Sequence, residues 1–155
     1  IGRAGRANAS GCAVIQTFTP ENPIIKLAAE QDYDSFYKDE IVLRRAMLYP
    51  PFAKLCVIGF VGEKEAKVAD AAFFFFEILK KLIKSDYSGL VVRILGPSPA
   101  RIFKANNKFR YKIIVKFKDE KTFERLVNDA LFKLDECKKN SGISTFVDVN
   151  PESIL

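Results

Sequence analysis

Apolar positions recur along this chain with two different periods, and the change of period organises it. Over 33–49, Tyr33, Phe36, Tyr37, Ile41 and Leu48 fall at three-, four- and seven-residue steps, which is one stripe of a helix. Upstream, the apolar run 12–18 (CAVIQTF) predicts a short buried strand. Asn22 followed by Pro23 predicts a capped helix start, carrying Ile24, Leu27 and Ala28 at helical spacing. The second helix is stopped by Tyr49-Pro50-Pro51-Phe52, because a residue before proline resists the helical region.

From there the pattern becomes regular. Residues 54–61 (KLCVIGFV) predict a central strand. A long helix follows over 63–85, with Val68, Ala71, Ala72, Phe75, Leu79 and Leu82 on one stripe. Residues 90–95 predict a strand that Gly96-Pro97-Ser98-Pro99 kinks or bulges. Residues 104–108 (KANNK) are a turn signal, and 109–118 alternate as a strand. A helix over 119–138 turns Phe123, Leu126, Val127, Ala130, Leu131 and Leu134 inward; Asn140-Ser141-Gly142 closes it, and 144–149 form a last strand. The order β-α-β-β-α-β predicts an α+β, ferredoxin-like (split βαβ) domain. Both helices would lie on one face of an antiparallel sheet, and the other face would be open. The run from Phe73 to Phe76 exceeds what the stripe needs, since only Phe75 sits squarely on it. The surplus predicts either extra packing within the domain or docking on another body.

Composition narrows the chemistry. With no His among 155 residues, a Ser-His-Asp triad, a Cys-His dyad and a His general base are excluded. Three cysteines (Cys12, Cys56 and Cys137) form no CxxC pair, which predicts reduced thiols in the cytoplasm rather than a disulfide framework or a metal knuckle. The sequence opens on Ile1 and its only Met is Met47, which predicts a piece of a longer protein. No apolar run approaches the ~18 residues of a membrane span.

Charge singles out one segment. Residues 100–118 hold seven basic and no acidic side chains, which exceeds the whole chain's net +6. Along 109–118, Phe109, Tyr111, Ile113, Val115 and Phe117 alternate with Arg110, Lys112, Ile114, Lys116 and Lys118. With the apolar set toward the helices, the basic set lies on the open face, and Arg101, Lys104 and Lys108 add charge at the turn. A concentrated positive stripe is what phosphate binding needs. The nucleic-acid-binding candidates are therefore Arg101, Lys104, Lys108, Arg110, Lys112 and Lys116. The bland alternative is a solvated strand whose lysines discourage edge pairing. With no aromatic evident on the basic face, backbone contact without sequence readout is expected. Asp148, near Pro151, reads as a turn or cap residue.

Gly2-Arg3-Ala4-Gly5-Arg6 is by itself compatible with a flexible basic tail. It also resembles the last signature motif of superfamily-two helicases, whose arginines project from the second motor lobe toward the ATP γ-phosphate. Further residues carry a more specific likeness: GRAGRA, VIQTF, Asp32-Tyr33 with Phe36-Tyr37, Arg44-Arg45 before Tyr-Pro-Pro-Phe, Leu-Gly-Pro-Ser-Pro-Ala at 95–100, and Asp-Val-Asn-Pro at 148–151. In this order they resemble, over nearly the whole chain, the C-terminal part of the primosomal protein N-prime family of bacterial replication-restart helicases. The family usually has Asp where this chain has Asn150.

The resemblance implies the end of a second motor lobe at 1–19, a helical connector at 20–51 and a C-terminal α+β domain at 52–155. It implies catalytic roles for Arg3 and Arg6 in an ATP-dependent 3′ to 5′ DNA helicase. ATP, Mg and structural Zn are implied for the longer protein and none within this stretch, which lacks both the phosphate-binding loop and the zinc cysteines. Implied partners are forked or single-stranded DNA, the protein's own motor lobes, other restart-primosome proteins and single-strand-binding protein. From a different functional class, a protein-interaction module would use the basic face to contact restart partners. A small ferredoxin-like hydrolase would need a phosphate cradle or a catalytic pair, and the sequence offers neither.

Overall fold

A computed structural model describes residues 13–137 and 140–152. The chain divides into two compact units, residues 1–43 and 44–155.

The first unit contains α1 (Pro23–Glu30) and the greater part of α2 (Tyr33–Met47). Asn22 Oδ1 accepts from the Ile24 amide at 2.9 Å and Pro23 occupies the first turn, as the sequence predicts. Gln31, at φ 57°, turns the chain back: its amide donates to Ala28 O, and the Asp32 amide donates to Leu27 O at 3.0 Å. Asp32 then opens α2 by accepting from the Ser35 amide at 3.0 Å. Hydrogen bonds from the Ser35 side chain and amide hold the Asp32 carboxyl below its ordinary range.

The strand expected over 12–18 is not observed. Residues 13–18 belong to no strand, and Cys12 lies outside the described residues. An apolar β-prone run becomes a strand only where a neighbour takes its backbone groups. Here none does, and Val14 and Phe18 stand exposed.

In the second unit, the end of α2 is reversed by Leu48 at φ 53°, with the Tyr49 amide donating to Arg44 O at 2.9 Å. Then come β1 (Lys54–Gly62), α3 (Glu65–Ser85), β2 (Val92–Ala105), β3 (Lys108–Phe117), α4 (Glu120–Glu136) and β4 (Ile143–Val149). The sheet order is β2-β3-β1-β4, antiparallel at every junction. This is the expected α+β, split βαβ arrangement. The β2–β3 hairpin closes through Asn106 and Asn107, at φ 51° and 57°, residues that tolerate this region better than most. Asp119 caps α4 by accepting from the Thr122 amide.

One cluster forms the core. Cys56, Ile58 and Phe60 of β1 and Ile113, Val115 and Phe117 of β3 meet the α3 stripe and the α4 stripe. All six positions predicted for α3 are buried, together with Ile78. Leu131 is half-buried against this cluster; the other five positions predicted for α4 are fully buried. The Phe117 and Phe123 rings stack at 3.8 Å, and Phe60 meets Phe75 edge-on at 5.6 Å.

Cys56 is fully buried, and burial, followed by the nearby Asp148 charge, pushes its thiol up to about 12. At pH 8 it stays protonated and enclosed. Mass spectrometry after a brief thiol-reagent pulse should find Cys56 unlabelled in the folded chain and labelled in urea. Labelling of native Cys56 as fast as of exposed Cys137 would contradict this packing.

Candidate nucleic-acid interface

β3 lies between β2 and β1, so its alternation is read on both sides. Its apolar residues face the helices. On the other face Arg110 pairs with Val61, Lys112 with Gly59, Ile114 with Val57 and Lys116 with Leu55. On the far side of β1, the first three of these rows continue as Ser144 opposite Val61, Phe146 opposite Gly59 and Asp148 opposite Val57. One row of the open face thus reads Lys112, Gly59, Phe146 from β3 to β4.

These residues line a groove of about 280 Å³. Arg101 and Ile102 of β2 border it on one side and Phe146 and Asp148 on the other, with Arg110 and Lys112 between. The β2 edge is shaped for this. Gly96, at φ 97°, sits where a Cβ would lie 3.0 Å from the Lys112 carbonyl oxygen, so the bulge at the predicted Gly-Pro-Ser-Pro segment requires glycine.

The six basic candidates do not form one stripe. Arg101, Arg110 and Lys112 share the groove. Lys108 turns to the end of the sheet, where it lines a separate recess with Lys64 and Lys67, two lysines that the charge count over 100–118 passed over. Lys104 pairs with Phe109 and sits over that ring, 4.8 Å from its centroid, beside helix-side Phe103 and Tyr111.

Lys116 is a correction. It was expected in solvent and is 3% exposed. Residues preceding β1 cover that end of the sheet: Nζ donates to Met47 O at 2.8 Å and lies 3.4 Å from the centroid of the Tyr49 ring. A lysine can be enclosed in this way when a carbonyl and an aromatic face replace its water. Asn150, at φ 55°, closes the same end, its amide donating to Leu55 O at 2.7 Å.

The structure also adds an aromatic that alternation along β3 could not reveal. Phe146 leans over β1, so that a Cβ on Gly59 would fall 2.1 Å from its ring tip. The ring remains 51% exposed. A glycine inside a central strand marks a close approach, and Gly59 was the available signal.

Arg3 and Arg6 lie outside the described residues. Among the described residues, no group of three or more His, Cys, Asp or Glu side chains is placed to hold a metal ion. No described helix is long and apolar enough to cross a membrane.

Comparison with known proteins finds related sequences along the chain. The family model described as the primosomal protein N C-terminal domain matches residues 45–152. Replication restart protein PriA of Bacillus subtilis is 34% identical over 99% of this chain. The protein of the same name from Thermotoga maritima is 33% identical over 99%, and that from Borreliella burgdorferi 32% identical over 100%. The chain spans only 18% of the Bacillus protein's length and 22% of the Borreliella protein's. With a family match across the whole βαββαβ unit and similarity extending along the rest, the chain belongs to the primosomal protein N C-terminal domain family.

Proposed function

We propose that this chain serves replication restart as the C-terminal part of an ATP-dependent 3′ to 5′ DNA helicase, and that it binds or positions DNA on the open face of its sheet while docking on the motor. The observation that carries the DNA reading is the convergence of Arg101, Arg110 and Lys112 on one groove. The names of the relatives support the restart context. In this reading, residues 1–19 end the second motor lobe, residues 20–51 connect, Arg3 and Arg6 act on ATP, and the protein works in the cytoplasm. ATP, Mg and Zn belong to the longer protein.

The chemistry of the groove suits a phosphate backbone. Arg offers a planar fork of donors to phosphate oxygens, and Lys a compact charge. Arg110 and Lys112 stand roughly 6–7 Å apart along β3, comparable with successive phosphates on one strand. Three such contacts give a log–log salt slope of about −2 on single-stranded DNA. Changing Arg101, Arg110 and Lys112 together to Gln should weaken binding of a labelled oligonucleotide and flatten that slope, with folding retained. A triple variant that binds as tightly as the parent would put the DNA elsewhere. Loss of binding to an acidic peptide, with DNA unaffected, would favour the protein-interaction module.

A further inference from the structure

We infer that Phe146 is a stacking platform for an unpaired base, seated beside the phosphate-binding groove. This rests on the DNA reading above and extends it from the backbone to the bases.

Three observations converge. Phe146 is a large aromatic that keeps half its surface in solvent on the face that also carries Arg101, Arg110 and Lys112. Beneath it stands Gly59, the one position in its row where the neighbouring strand supplies no side chain. A Cβ there would meet Cζ at 2.1 Å and Cε1 at 2.2 Å. The ring can therefore lie down on β1 instead of standing upright. Finally, the charges are distributed to one side. Lys112 lies two strands from Phe146 across Gly59, about 10 Å away at ordinary strand spacing, and Arg110 is one row further along. Asp148 lies on β4 beside Phe146, opposite Val57. It repels phosphate from that corner.

A single strand crossing this face therefore runs its backbone along β3 and the Arg101 edge, with a base turned toward β4. Base–aromatic stacking is tolerant of sequence because every base has a π face, and it requires the base to be out of a duplex. The predicted ligand is single-stranded or locally opened DNA.

The experiment uses the whole 155-residue chain with two probes of equal charge, an oligo(dT) and the same backbone made abasic. Phe146→Leu should weaken oligo(dT) binding about 5- to 150-fold. It should leave the salt slope and the abasic affinity unchanged, since phosphate contacts set both. The chain has no Trp, so Phe146→Trp places a single reporter there. It should restore affinity, and its fluorescence should be quenched by oligo(dT) but not by the abasic strand. Unchanged abasic affinity in the Leu variant also excludes its misfolding as the cause. If Phe146→Leu binds oligo(dT) like the parent while Arg110→Gln weakens it, the stacking role is overturned and the basic groove stands. If the parent binds neither probe, both fall together.

Discussion

Lys116→Ala should lower the unfolding free energy by about 2–4 kcal/mol, the combined loss of a charged donor's hydrogen bond and a buried aliphatic stem. It should leave the salt dependence of DNA binding unchanged. The first effect follows from enclosure: Nζ donates to Met47 O and rests against Tyr49, and truncation leaves that carbonyl without its donor. Lys116→Met, which keeps the stem, should cost only about 1–2 kcal/mol. The second effect follows because a lysine that meets no solvent neutralises no phosphate. Arg110→Gln should do the reverse, sparing stability and flattening the log–log slope by about 0.7. Urea unfolding and a salt titration on the two variants check both halves. A Lys116→Ala protein as stable as the parent, with a flatter slope, would return Lys116 to the DNA face.

The contrast between Lys116 and Arg110 shows where alternation along a strand stops being informative. Period two fixes which face a side chain takes, and it placed residues 109–117 correctly with respect to the sheet, Lys118 lying past the end of β3. It says nothing of what lies above that face. Coverage of Lys116 depends on the path of 47–53 after α2, which is set by the reversal at Leu48 and by Arg44 Nη1 donating to Pro50 O at 3.1 Å. The contact that results, Lys116 Nζ to Met47 O, joins residues 69 apart in sequence, and no pattern within β3 encodes it. Phe146 was hidden for a related reason. It lies on β4, and its membership of the basic groove depends on the order β3-β1-β4 and on register, both of which are non-local.

Elements with internal punctuation were legible. Asn22-Pro23 and Asn106-Asn107 each satisfy or redirect backbone within a few residues, and each does so in the structure. The 12–18 segment failed because its signal was apolar content alone. Residues 13–18 find no strand partner in the described sheet.

The largest single loss of stability is expected from the four-phenylalanine run. Phe75→Ala should cost about 3–5 kcal/mol, against about 0.5 kcal/mol or less for Phe73→Ala. Phe75 is fully buried and meets Phe60 edge-on, so truncation opens a cavity between α3 and β1 and removes an aromatic pair together. Phe73 is two residues away, about 200° around the helix at 3.6 residues per turn, and is 53% exposed. Phe74 and Phe76 flank the core and are half-buried against it, Phe76 with Lys80 Nζ 5.1 Å from its ring centroid, so their truncation should fall between the two. Domains of this size hold only about 5–15 kcal/mol in total. Phe75→Ala should therefore unfold at markedly lower urea, with the midpoint moving and its steepness kept. Equal losses at Phe73 and Phe75 in the isolated chain would mean that the outer face of α3 is also covered, and would contradict the one-sided core described above.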